Sequence, residues 1–373
     1  MTDSPEPVPR QSRILPTLAV LLLLAVILAF WLRPRVRLIE FAGGTMGTTY
    51  SVKIVDPGSS IGGARKGGLA NDIHECLENV TRRMSTYLPD SELSRFNQHE
   101  DGSPFRFSEE TFHVFKRAME ISELTSGAFD ITVGPIVNAY GFGPETRPVE
   151  PPSDEKLEEL KRRVGYRLVQ LDSADRTVRK LRPDVYCDLS AIAKGYAVDR
   201  VAGFLDQVGI TDYMIEVGGE VRVRGFNAEG KPWRIGLEKP ADQGRAIHRV
   251  LGLSDKAIAS SGDYRNYYMA GGVRISHIID PRTGRSVSHN LALVSIIADD
   301  CETADALATA FMVLGPVDAY NLAEQNGVAA LFLTRNAGGE FEERVTGPFE
   351  SLISAGHVTA PASRPAGTPA GYR

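Results

Sequence analysis

The 373-residue chain carries 42 Lys+Arg against 47 Asp+Glu, a formal net charge of −5, with no extended basic stripe, which argues against nucleic acid as its main partner. Its length admits two average domains or one large α/β or α+β core. Three widely separated cysteines, Cys76, Cys187 and Cys301, form no CxxC and no His/Cys pair at zinc spacing, so neither a disulfide framework nor a zinc site follows.

Residues 14–32, ILPTLAVLLLLAVILAFWL, hold no charge over a length that spans roughly 28 Å as a helix, close to a bilayer core. They read as an uncleaved membrane anchor behind a short tail (1–13), because the apolar run is too long for a secretory signal and lacks a small-residue exit. Arg10 and Arg13 precede this span and Arg33, Arg35 and Arg37 follow it, so the positive-inside count leans toward a cytoplasmic body. A single large domain is expected over 38–355, with loops at 57–68 (PGSSIGGARKGG) and 141–155, and a disordered tail at 356–373.

Within the domain, Ile73, Leu77, Val80 and Met84 share one helical face. So do Phe112, Phe115 and Met119, in a helix opened by Ser108, Glu109 and Glu110 and closed by Gly127. Further helices are expected from about Ser190 to Gly209, from Glu302 to Leu314, and from Pro316 onward. Between them lie strand-like runs such as TTYSVKIV, EVRVRG, PWRIGLE, VRISHIID, LALVSIIA and AALFLT. Strands that adjoin in sequence, with helices interspersed irregularly, predict an α+β fold with mainly antiparallel pairing rather than a doubly wound parallel sheet.

Three stretches carry candidate chemistry. In ADALATAFM, Asp305 and Thr309 are four apart and share a helical face, while Leu307, Phe311 and Leu314 point into the core. An acid in such a run needs a partner: a cation, a buried basic side chain, or backbone donors. Oxygen ligands alone would suit a hard ion such as Mg²⁺, whereas the ordinary reading is an acid favoured near a helix N-terminus and a threonine bonded to its own backbone. In CDLSAIAKGYAVD, a strand enters a helix through Asp188 and Ser190, with Lys194 one turn in. This is an anion-binding turn or simply an N-cap. In SHIIDPRTG, His277 alternates with Ile275 and Ile279 on an expected strand and is either a general base or a satisfied core histidine.

The ordered set GTMGTTYSV, MSTYLPDSELSRFN, GAFDITVGP, DLSAIAKGYAVD, IEVGGEVRVRG, AIASSGDYR, HIIDPRTG and ADALATAFMVLG resembles the ApbE family, the FAD:protein FMN transferases, over nearly all of residues 41–335. The resemblance implies a T-fold-like α+β domain that uses FAD as donor and Mg²⁺ as cofactor to move FMN onto a threonine hydroxyl of a partner protein, releasing AMP. By motif match it implies Asp305, Thr309 and the Ala191 carbonyl as metal ligands. It makes Met46, Tyr87, Ala128, Phe129, Asp130, Asp188, Lys194 and Ile279 candidate FAD contacts, and it favours His277 over Asp280 as base. It also implies acceptors among the flavin-carrying subunits of sodium-pumping quinone reductase or Rnf-type membrane complexes, and a body outside the cytoplasmic membrane, against the charge count. Many relatives are lipoproteins tethered through an N-terminal cysteine, which this chain lacks. An FAD pyrophosphatase, in which water replaces threonine, and a non-catalytic flavin-binding protein remain the alternatives.

Overall fold

The computed structural model describes residues 20–24, 36–58, 61–144, 148, 150–240 and 246–354. Of the expected anchor only 20–24, a helical and exposed stretch, falls among them; the rest of the anchor and the expected tail at 356–373 lie outside the described residues.

Eight strands form the main sheet: β1 (Arg37–Thr45), β2 (Thr48–Asp56), β3 (Tyr213–Val217), β4 (Glu220–Arg224), β5 (Lys256–Gly262), β6 (Leu291–Ala298), β7 (Ala329–Arg335) and β8 (Phe341–Val345). Their spatial order is their chain order, and every pairing is antiparallel. Four longer helices are α1 (Gly63–Met84), α2 (Glu109–Leu124), α3 (Ala193–Gln207) and α4 (Cys301–Gln325). The sheet falls into two halves, each with two strands before a helix and two after it: β1–β2, α3, β3–β4, then β5–β6, α4, β7–β8.

Both faces of the sheet are covered, which explains why LALVSIIA is an almost unbroken apolar run instead of an alternation. Ala257, Ala259, Val294, Ile296, Ala330 and Phe332 face the helices. Ile258, Leu293, Ile297, Leu331 and Leu333 face the opposite way, against a two-stranded hairpin (Trp233–Lys239 with Ala246–Leu253) and Phe349 of a short C-terminal helix.

The expected helix boundaries are met in part. Ser108 caps α2, its Oγ accepting the Thr111 N–H. The stretch 57–68 is not all loop, because α1 already begins at Gly63: the tertiary burial of Leu69 and Ile73 extends the helix back through its glycines. Helix α3 begins at Ala193, three residues later than expected, and neither Asp188 nor Ser190 caps it. The strand expected through His277 is interrupted, with pairing at Val273–Ser276 and Ile279–Asp280 only, so His277 occupies a bend and does not alternate with Ile275 and Ile279 on a strand face.

The break expected before Pro316 is a kink inside α4, where Gly315 takes φ 82° and ψ 177°. Proline has no N–H to give the Met312 carbonyl, and His289 Nε2–H takes that place at 2.8 Å. Only glycine suits the corner, since a Cβ there would also meet the His289 ring at 3.0 Å. Among the described residues α4 is the one helix long and apolar enough to cross a bilayer, but it is mostly buried in the domain.

Candidate active site

Helices α3 and α4 cross at their N-terminal ends, and the closeness of that crossing is set by one residue. A Cβ on Gly195 would lie 2.3 Å from the Cys301 carbonyl oxygen and 2.8 Å from the Asp305 Cβ. With glycine there, Asp305 reaches the first turn of α3, and its Oδ2 accepts the Gly195 N–H at 2.9 Å. That N–H lies in the first turn of α3, where no helical acceptor precedes it, and Ala191, just before the helix, borders a cavity of about 400 Å³.

Lys194 projects into the same space and donates to Asp305 Oδ1 and Oδ2 at 3.3 and 3.4 Å, and it pairs with Glu220 Oε1 at 3.1 Å. The partner demanded by a buried Asp305 is therefore a basic side chain together with a backbone donor. Asp305 and Glu220 are only 2 % and 4 % exposed, so burial pushes both carboxyls above their ordinary values, while the ammonium pulls them down. Burial would lower Lys194, but Asp305 and Glu220 outweigh it and hold it protonated. Two carboxylates share one ammonium, and Glu220 Oε2 is buried without a hydrogen-bond partner. The cluster can take up one more positive charge, as a proton or a cation.

Thr309, one turn beyond Asp305, lies 3.3 Å from Ser261 Oγ on β5 instead of bonding its own backbone. Ala191, Asp305 and Thr309 all line the cavity. A backbone carbonyl, a carboxylate, a hydroxyl and the unpartnered Oε2 of a second carboxylate form an all-oxygen donor set suited to Mg²⁺. The described residues hold one other acidic cluster, Asp199, Asp300 and Glu302, most of whose oxygens are engaged within the protein, Glu302 Oε1 alone being buried without a partner while its Oε2 is taken. Asp199 accepts the Cys301 and Glu302 N–H groups and pairs with Arg222, Asp300 caps α4 through Thr303, and Glu302 holds His113.

Across the cavity stands His277. Its Nδ1 lies 3.1 Å from the Asn266 carbonyl, which can only accept, so Nδ1 carries the proton and Nε2 keeps its lone pair. Burial lowers its pKa below the ordinary value, against a smaller upward effect of the Asn266 hydrogen bond. The ring is thus a neutral base at neutral pH. Asp280 is spent within its own turn, on the Arg282 N–H and guanidinium.

Of the expected flavin contacts, Tyr87, Ala128, Phe129, Asp130, Asp188, Lys194 and Ile279 all line this cavity. Tyr87 is 65 % exposed at its rim. Asp130 is buried with its oxygens taken by the Thr132 N–H and hydroxyl and the Tyr166 N–H, so it holds the 128–132 turn in shape. Asp188 folds back on the Ser190 N–H and orders the entry to α3. Met46 is not on the cavity wall; it occupies the left-handed corner of the β1–β2 turn with φ 48°. Sequence reasoning passed over Glu220, Ser261 and Arg265. The available signal for Glu220 was an acid opening a strand straight after two glycines.

A mainly antiparallel α+β domain with a buried oxygen cluster facing a neutral histidine across one cavity describes a group-transfer enzyme. The ApbE family model matches residues 46–332, and the chain belongs to the ApbE family. It is 44% identical over 317 residues to the FAD:protein FMN transferase of Vibrio cholerae, an alignment covering 85% of this chain and 93% of that enzyme. Its fold is similar to the flavin transferase ApbE from Vibrio cholerae (TM-score 0.78, 42% identity, 85% and 99% of the two chains). It is also similar to the apo form of the Pseudomonas stutzeri flavinyl transferase ApbE (TM-score 0.77, 35% identity, 85% and 97%).

Proposed function

We propose that this chain is a Mg²⁺-dependent FAD:protein FMN transferase that joins FMN to a threonine hydroxyl of an acceptor protein and releases AMP. Transferase chemistry on FAD is the activity named for its relatives in the family. The observation that carries the finer reading is the meeting of Asp305, Thr309, Ala191 and Lys194 with His277 around one cavity.

Asp305, Thr309 and the Ala191 carbonyl would hold the ion, with Glu220 Oε2 near enough to compensate its charge. Bound there, Mg²⁺ would neutralise pyrophosphate oxygens and the charge growing on the leaving group. Lys194 supplies a second positive charge on the same wall. His277 Nε2 takes the proton of the threonine hydroxyl as the oxygen bonds to the flavin-side phosphorus. The bond from that phosphorus to the bridging oxygen breaks, and AMP leaves with that oxygen. Tyr87 and Phe129 offer aromatic surface to a planar ring.

The two strand–strand–helix–strand–strand halves support a T-fold-like architecture. The apolar run at 14–32 supports a single-pass anchor; likeness to the family, against the flanking charge count, favours the inner membrane with the body on the periplasmic side and acceptors among the flavin-carrying subunits of membrane redox complexes. The test incubates the full chain in detergent with FAD, MgCl₂ and a flavin-free carrier domain, then measures acceptor mass. A gain of one FMN less water, dependent on Mg²⁺, is expected. Free FMN and AMP with an unmodified acceptor would make the chain a pyrophosphatase instead, and retained FAD without turnover would make it a flavin carrier.

A further inference from the structure

We propose that the acceptor's threonine-bearing segment enters as an extended strand along the open edge of β5 at residues 260–262. This inference rests on the transferase reading above.

The ladder between β4 and β5 runs only from Lys256–Val223 to Ile258–Val221, because the β3–β4 hairpin turns at Gly218 and Gly219 and β4 begins at Glu220. On its other side β5 stays paired with β6 as far as Gly262–Leu293, and the Asp263 N–H continues to the Ala292 carbonyl. The antiparallel alternation then directs the backbone groups of Ala259 and Ser261 toward β6. It directs those of Ser260 and Gly262 to the side that β4 has left, where no strand among the described residues meets them.

This edge borders two cavities at once. Ser260, Gly262, Gly218 and Arg265 line both the 400 Å³ cavity and a second one of about 270 Å³ on the hairpin side of the sheet. The second cavity is also lined by five consecutive residues, 234–238, which a strand can offer only by presenting its edge. Among the described residues that strand, Trp233–Lys239, pairs on one side alone, with Ala246–Leu253. A slot between two strand edges fits an extended peptide, which gains main-chain hydrogen bonds from it.

The slot leads to the chemistry. Ser261, between the two open residues, lies 3.3 Å from Thr309, and the Arg265–Glu238 ion pair stands at the boundary between the cavities. With FAD filling the first cavity, a hydroxyl carried on a protein must arrive by another opening. A chain laid in this slot passes from the second cavity into the first, beside Thr309.

Gly236 tests the slot without touching the flavin cavity. The nearest atoms to a Cβ there are those of the exposed Ile247 side chain at 3.5 Å or more, an ordinary contact, so Gly236→Phe adds bulk beside the strand edge that lines the second cavity. In the full chain, Gly236→Phe is expected to raise the acceptor KM by about tenfold or more, with the KM for FAD and the acceptor-free hydrolysis of FAD unchanged. In parallel, hydrogen exchange on the wild-type chain is followed with a carrier domain whose target threonine is replaced by valine. Protection gained at the Ser260 and Gly262 amides is expected. An unchanged acceptor KM, or acceptor binding without protection there, overturns the site alone. A wild-type chain that hydrolyses FAD yet never modifies the acceptor overturns the transferase reading and the site with it.

Discussion

Replacing Lys194 by methionine removes the one cation that two buried carboxylates share. Its nitrogen sits 3.1 Å from Glu220 and 3.3 Å from Asp305. Each contact is worth about 5 kcal/mol of attraction at an effective dielectric of about 20, before the cost of desolvating the ions. Removing one partner of a buried ion cluster leaves a net loss of about 3–5 kcal/mol. The lower end applies here, because the Lys194 side chain is 28% exposed toward the cavity. The carboxylates supply the pH signature. Both already bind a proton more tightly folded than unfolded, so their contribution to stability falls as pH rises from the ordinary carboxyl range toward the raised folded values. Without Lys194 those values rise further. Urea unfolding should therefore show a larger deficit for Lys194→Met at pH 8 than at pH 5.5, and MgCl₂ should restore more stability to the variant than to wild type. Equal deficits at both pH values, with no response to Mg²⁺, would refute the charge accounting at this site.

Asp305→Asn leaves a neutral one-to-one pair of Lys194 and Glu220, so its melting temperature should fall by the equivalent of only about 1–2 kcal/mol. Its FMN transfer and its stabilisation by Mg²⁺ should nonetheless both be lost, as calorimetric titration and acceptor mass would report. Gly195→Ala forces a Cβ to 2.3 Å from a backbone carbonyl, and overpacking of this kind costs about 1–3 kcal/mol or more; thermal melting should show it, together with weakened Mg²⁺ binding as Asp305 is pushed aside. His277→Ala should lower kcat for FMN transfer by about 10²–10⁴ with FAD affinity kept. In wild type the acid limb of the kcat profile should fall below the ordinary histidine value of 6.5, since burial disfavours the charged ring; in the variant that limb should vanish.

How much of this was legible before the structure depended on whether the signal was local. The α2 cap at Ser108, the β6 run and the break before Pro316 each follow from residues adjacent in sequence. Asp305 and Thr309 stood out because a carboxylate and a hydroxyl one turn apart conflict with an apolar helix. What answers that conflict came from elsewhere in the chain: Lys194 is 111 residues away and Glu220 belongs to another strand. His277 was visible as a candidate, but its tautomer depends on the Asn266 carbonyl, 11 residues earlier, and its strand was overextended because VRISHIID keeps its apolar residues through the bend. Met46 was drawn in by motif likeness; its backbone geometry places it at a turn corner outside the cavity wall.

The dipeptide Gly218–Gly219 shows how a short local choice organises the remote parts. Positive φ values of 62° and 106° make a tight turn between β3 and β4. Gly218 packs where a Cβ would meet Thr48 at 2.9 Å and Lys194 at 3.3 Å, so the turn lies directly against the lysine. Because the hairpin reverses there, Glu220 opens β4 at the cavity, within reach of that lysine. For the same reason β4 leaves β5 unpaired beyond Ile258. A longer hairpin would continue the ladder over residues 260–262, closing the edge and carrying the acid away from Lys194. The charge cluster and the open strand edge are thus two consequences of one turn, and any change that lengthens or straightens it should disturb both together.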